Sequence, residues 1–162
     1  GPAGYVASAW SCTGAPALTD GTTVSVTEGS SVTCTIVNTY IPPGLTLLAR
    51  VDASAGGSAA ITDWTLGAVG VTDPTSAISG VSGSPAVTGA AVRPGWYRLS
   101  SSGGPAGYRA SPWTCTGAPA LTDGTTVSVT DGATVACTVV QTYVPPRLTL
   151  VVATEKIGRA HV

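Results

Sequence analysis

The chain contains no methionine and no phenylalanine, a single histidine, and only 9% charged residues. Each shortage removes a class of explanation. Without methionine, the native start is expected to lie outside this stretch, together with any signal peptide, wall anchor or catalytic module. Seven basic side chains stand against eight acidic ones, and no basic stripe exists to track phosphates, which argues against a nucleic-acid partner. Alanine and valine occur in short runs broken by Ser, Thr and Gly. None approaches the ~18 apolar residues of a membrane-spanning helix, so no membrane segment is expected here. Residues that favour helices are few. What remains, rich in Thr, Val, Ser, Gly and Pro, is the composition of a secreted all-β chain.

What is present is written twice. Gly104-Pro-Ala-Gly-Tyr108 repeats Gly1 to Tyr5, and Leu121 to Val129 repeats Leu18 to Val26 letter for letter. Cys137 answers Cys34, and Tyr143-Val-Pro-Pro146 answers Tyr40-Ile-Pro-Pro43. The offset is 103 residues (104 − 1) without insertion. That is too long for a solenoid unit and right for one domain per repeat. The expected organisation is the back half of a preceding repeat over 1–44, one complete β-sandwich repeat over 45–147, and the first strand of the following repeat over 148–156. Residues 157–162 break the pattern and back-translate to ATC GGA AGA GCA CAC GTC. That string resembles a sequencing-adapter read-through, so the tail is expected to be non-native and His161 to carry no function.

Strands follow from period-two alternation and turn signals. They are expected at Ala7–Thr13, Thr23–Thr27 and Val32–Tyr40 in the leading half. In the complete copy they are expected at 45–51, with Leu45, Leu47, Ala49 and Val51 inward, then near Ile61–Ala68, Ala77–Val81, Ala86–Val92 and Gly95–Ser100. Two-residue hairpins are expected at Glu28-Gly29 and Asp131-Gly132. Pro42-Pro43 and Pro145-Pro146 read as short, stiff connectors between copies. Seven or so short strands without helical periodicity indicate tandem β-sandwich domains.

Cys12 and Cys34 are 22 residues apart, as are Cys115 and Cys137. Even count, equal spacing and a secreted composition favour one disulfide within each copy. A metal site is the rival, without a Cys-x-x-Cys pair or a usable histidine to support it. Trp10 and Trp113 either pack near the bridges or stand exposed as sugar-stacking aromatics. Chemistry is hard to find. Gly80-Val-Ser-Gly-Ser84 misses the nucleophile elbow at its last position and has no histidine partner. Asp63 and Asp73 lack the closely spaced acidic loop of a calcium site. No enzymatic activity, cofactor or metal is expected.

Leu45-Thr-Leu, Tyr97-x-Leu99 followed by Pro105-x-Gly107-Tyr108, and Cys137-Thr-Val-Val-Gln-Thr142 together resemble the prealbumin-like (transthyretin-like) β-sandwich domains. These recur in surface proteins of Gram-positive bacteria, beside pilin-type and collagen-adhesin B-type repeats. Many members hold a self-formed Lys–Asn isopeptide bond, which needs a desolvated neutral amine, an amide and a proton-shuttling acid. The resemblance places the lysine at Ala49, the acid at Ser101 and the asparagine at Gln141. All three share inward parity and none keeps the reactive type, so the bond cannot form. Asn38 retains the amide in the leading half, while Val152 takes the lysine position of the following copy. The disulfide then reads as a replacement staple. Gln141 becomes a buried polar group expected to bond Ser101 or nearby backbone.

The resemblance implies an extracellular stalk or spacer, secreted or wall-attached, whose partners are neighbouring repeats. The alternatives are an adhesin or carbohydrate-binding module, taking a matrix protein or glycan through aromatics such as Trp96, and an accessory repeat of an extracellular enzyme.

Overall fold

The computed structural model of the protein describes residues 1–14, 17–155 and 158. Its strands are β1 (Tyr5–Ala7), β2 (Ser11–Thr13), β3 (Thr33–Thr35), β4 (Asn38–Tyr40) and β5 (Gly44–Asp52). After a single 3-10 turn at Ile61–Asp63 come β6 (Trp64–Gly70), β7 (Ala77–Val81), β8 (Ala90–Ala91) and β9 (Gly95–Gly103). The last are β10 (Tyr108–Ala110), β11 (Thr114–Thr116), β12 (Thr126–Val129) and β13 (Thr134–Tyr143). The fold is all-β.

Two sheets form the main body, one in the order β10-β13-β5-β8 with β11 also on β13, the other β12-β9-β6-β7. Between them lies the core. Along β5 the alternation puts Leu45, Leu47 and Ala49 inside; Tyr97 and Leu99 answer from β9, Leu66 and Ala68 from β6. These are the inward parities that period-two reading assigns. The first and last strands of the body, β5 and β13, are parallel neighbours registered from Thr134↔Gly44 to Thr142↔Asp52.

Several local expectations change. No hairpin forms at Asp131-Gly132. A turn does close there, with the Ala133 amide bonded to the Thr130 carbonyl at 3.1 Å. Its flanking strands then enter opposite sheets, β12 beside β9 and β13 beside β5. Glu28-Gly29 likewise joins no hairpin, since β3 pairs back to β2.

The strand expected over Ala7–Thr13 is two strands, broken after Ala7. Pairing runs Ala7↔Asn38 and then Ser11↔Thr35, so four steps face three; the second copy repeats this with Ala110↔Gln141 and Thr114↔Thr138. One extra residue on one side is a bulge. Serine sets it: the Val140 amide bonds to Ser111 Oγ at 3.0 Å, and the Val37 amide to Ser8 Oγ at 3.0 Å. Proline does not, because Ala9 stands where Pro112 does and the break is the same. Across the same bulge, Val32–Tyr40 divides into β3 and β4.

The candidate Ala86–Val92 shrinks to the two residues of β8, and the strand near Ile61 begins only at Trp64, after the 3-10 turn. The most instructive difference is Thr23–Thr27, which forms no strand. Its twin Thr126–Val129 is β12, paired to β9. Val129 is 1% exposed where Val26, in the same nine-residue text, is 63% exposed. The leading half has no β9 to offer. Residues 148–155, expected to open the following repeat, also carry no strand, and Leu148, Leu150, Val151 and Val152 are exposed. The tail at 157–162 falls, Gly158 apart, outside the described residues.

Both copies of the Leu-Thr-Asp-Gly-Thr-Thr turn nevertheless close alike, with Asp20 and Asp123 at φ 54° and 55°. The hydroxyl of Thr125, then its amide, holds the Asp123 carboxyl below its ordinary value, as Thr22 does for Asp20. Hydrogen exchange read residue by residue should find the amides of Val127 and Val129 protected by β9 and those of Val24 and Val26 fast, identical sequence notwithstanding. Equal protection would mean that local propensity, and not β9, makes the strand.

Candidate functional site: the interior cross-link positions

β13 is the strand on which everything relevant converges. Val135, Cys137, Val139 and Gln141 point inward from it, each at 3% exposure or less. On one flank lies β5, with Ala49 directly beside Val139 and Val51 beside Gln141. Ala49 is therefore one inward step back from Gln141 on the neighbouring strand. From the opposite sheet β9 brings Ser101, and Gln141 Nε2 donates to Ser101 Oγ at 2.9 Å. A polar bridge thus joins the two sheets where the resemblance places an amide and an acid. Ala49 supplies only a methyl group, and its amide is held by the buried Ser82 Oγ at 3.1 Å. No amine and no carboxyl stands at these three positions, so nothing there can form or assist an amide cross-link. Asn38, the retained amide of the leading half, is exposed on β4.

On the other flank of β13 sits the covalent link that is present. Cys115 and Cys137 are direct partners in the β11–β13 ladder and their sulfurs are bonded at 2.02 Å; Cys12 and Cys34 are bonded at 2.07 Å across β2 and β3. Each disulfide therefore ties adjacent strands of one sheet, not one sheet to the other. An Ala49–Gln141 link would join β13 to β5; the disulfide joins β13 to β11. The disulfide thus acts on a different pair of strands, and the β5–β13 seam is left to hydrogen bonds and packing. Closing a 22-residue loop stabilises by about 3 kcal/mol on the chain-entropy account. The two tryptophans part company: Trp113 is 7% exposed and belongs to the core cluster with Cys137, while Trp10 is 43% exposed.

Other candidates have ordinary local duties. Ser82, the central serine of the Gly80–Ser84 run, is buried and accepts the Ala49 amide. Asp63 Oδ2 accepts the Ala60 amide at 2.9 Å, and Asp73 Oδ2 pairs with Arg93 at 2.9 Å, so the two carboxylates are engaged separately. Hydrogen bonds from Thr75, ahead of the Arg93 charge, keep Asp73 below the usual carboxylate range. Among the described residues no three His, Cys, Asp or Glu side chains converge as metal ligands. His161 lies outside the described residues. Sequence reasoning missed the pairing of Tyr40 with Asp131, whose hydroxyl and carboxylate are 2.9 Å apart across 91 residues. Its only trace in the text is that tyrosine and an acidic-Gly turn recur together in both copies.

A two-sheet all-β body, with parallel first and last strands and a cross-linked final strand, defines a β-sandwich domain. The defining pattern of the prealbumin-like fold domain matches residues 1–36 and 41–139. The chain belongs to that family. No curated protein and no solved structure matches it.

Replacing Gln141 by Leu strands the Ser101 hydroxyl and should cost about 1–3 kcal/mol in chemical denaturation. Adding Ser101→Ala should recover most of that loss, the non-additivity expected of partners in contact. In the intact-mass spectrum the unreduced protein should sit four hydrogens below the reduced chain (two per disulfide), with no further loss of ammonia. An ammonia deficit would mean that an amide cross-link exists after all.

Proposed function

We propose that this chain is a segment of a head-to-tail array of sandwich domains. On this reading the array serves as a stalk or spacer in a secreted or wall-attached bacterial surface protein, with no catalytic role of its own. The observation that carries the reading is the parallel seam. The chain enters the body at Gly44, the start of β5, and leaves it at Tyr143, the end of β13, and the two strands are registered neighbours along all nine residues of β5. Tension on an array pulls the start of one strand away from the end of the other. In a parallel pair that force runs along the seam and loads its hydrogen bonds together. An antiparallel terminal pair pulled from adjacent ends would instead open one bond at a time. The Cys115–Cys137 link keeps its loop from extending even after the seam yields. Membership in the prealbumin-like family agrees with a structural role at an exterior surface.

Single-molecule pulling along the chain ends tests this. The body should resist as one cooperative unit. Each unfolding event under reducing conditions should be roughly 70–75 Å longer than under oxidising ones, the reach of the 22 residues inside the loop at about 3.4 Å apiece. Gradual yielding at low force would sink the load-bearing reading.

One observation favours a second reading, the adhesin. Trp96 is exposed in a cleft with Val71, Arg98, Thr122, Asp123 and Thr126, a setting in which an aromatic face could meet a sugar. Specific micromolar binding in a glycan and matrix-protein screen, abolished by Trp96→Ala, would establish it over the stalk.

A further inference from the structure

Residues 1–40 meet the main body through a small, well-defined contact. Tyr40 Oη donates to Asp131 Oδ1 at 2.9 Å. Beside that bond two glycine backbones press together: a Cβ on Gly4 would stand 3.1 Å from the Asp131 Cβ and 3.3 Å from the Gly132 nitrogen, and one on Gly132 only 3.0 Å from the Gly4 Cα. Both glycines have positive φ, 79° and 69°, so side chains are unwelcome there for conformational as well as steric reasons. The connector leaves little slack. Pro43, expected to belong to a short, stiff connector between copies, is buried in the body, where its carbonyl accepts the Val92 amide at 3.0 Å.

We propose that this contact is the docking joint of the array: each copy ends in a tyrosine–glycine plug that seats on the acidic-Gly turn of the copy after it. The partner that Tyr143 and Gly107 fit is accordingly a second copy of this same domain. The proposal rests on the tandem reading above. Its independent support is that the plug is already shaped in the complete copy. The Tyr5 and Tyr40 rings lie 5.3 Å apart at 56°, and Tyr108 and Tyr143 lie 5.3 Å apart at 53°. The Ile41 amide bonds to the Gly4 carbonyl at 2.7 Å, and that of Val144 to Gly107 at 2.8 Å. Gly4 and Gly107 each lie against the ring of their own tyrosine, with positive φ at both. The socket recurs too: Glu28-Gly29 matches Asp131-Gly132, with Gly29 at φ 77°. A phenol donor, a carboxylate acceptor and a pair of bare glycine backbones are therefore carried at opposite ends of one repeat. With two prolines between copies, such a joint sets one orientation of neighbour to neighbour.

The charged and titratable groups facing the Tyr40 hydroxyl are Asp131 and Tyr5. The bond to Asp131, with the negative charge behind it, raises the phenol above its ordinary value of 10.0. The bond needs the protonated phenol, so the joint is whole below that ordinary value and is lost as pH rises through the raised one.

Residual dipolar couplings on the full chain test the joint at neutral pH. Amides of β1–β4 and of β5–β13 should fit one alignment tensor. Tyr40→Phe, which removes a single oxygen, and Asp131→Ala, which removes the acceptor without touching either glycine, should each split it into two, while both parts keep their own amide spectra. Separate tensors in the unaltered chain, or one tensor surviving in both variants, would overturn the joint. In a chain lengthened after Arg147 by a further copy of 45–147, Tyr143→Phe should free the added copy in the same way; a copy that stays fixed would overturn the plug. Failure here leaves resistance to pulling untouched, because that is measured inside one body and not between two.

Discussion

The parallel pairing of β5 with β13 is the constraint on which the rest depends. It sets the first and last strands of a hundred-residue body side by side and fixes, residue by residue, which side chains of each strand face inward. Leu45, Leu47 and Ala49 then share an inner face with Val135, Cys137 and Val139. A slip by one residue would turn every one of these outward. The leading half shows the consequence of lacking the pairing. There β3 and β4 stay short, Cys34 is only half-buried where Cys137 is fully buried, and Trp10 stays exposed. The same letters are less buried there because no sheet like β5–β13 or β9 flanks them.

The interior of the body carries a hydrogen bond where the family resemblance implies a covalent seam. Where the family resemblance places an amine, an amide and an acid, this chain has a methyl group, a longer amide and a hydroxyl. The last two bond across the sandwich. A hydrogen bond of about 1 kcal/mol net stands where the resemblance implies a covalent cross-link, and the covalent link that is present lies on the opposite flank of β13. Thermodynamically the disulfide acts mostly by restricting the unfolded chain. Mechanically it guards a loop and not the seam. An array of such bodies, as proposed, would therefore yield and recover under load, with a bounded extension, rather than be inextensible.

Between bodies the same economy of means recurs. A tyrosine, an acid and two glycines make a contact too small to stabilise anything by burial, yet specific in geometry. Exposed hydrogen bonds contribute little to folding; their effect lies in selecting one arrangement among those that a stiff, short connector already permits.

The sequence by itself determined what depends on neighbours along the chain: the repeat and its period, the all-β class, the inward parity of β5, β9 and β13, and the pairing of cysteines in equal spacing. Period-two alternation and residue identity are local facts, and local reading recovers them. Tertiary structure alone decided that β12 and β13 part into different sheets at an Asp-Gly turn that reads as a hairpin. It alone decided that Ser8 and Ser111 insert a bulge, that Trp113 is buried where Trp10 is not, and that Thr23–Thr27 fails to become a strand. It also chose the strands that the disulfides join, and it brought Tyr40 to Asp131. Each of these turns on a partner far away in the chain, and a strand's hydrogen bonds lie outside the segment that forms it. No stretch of text can state by itself whether they will be answered.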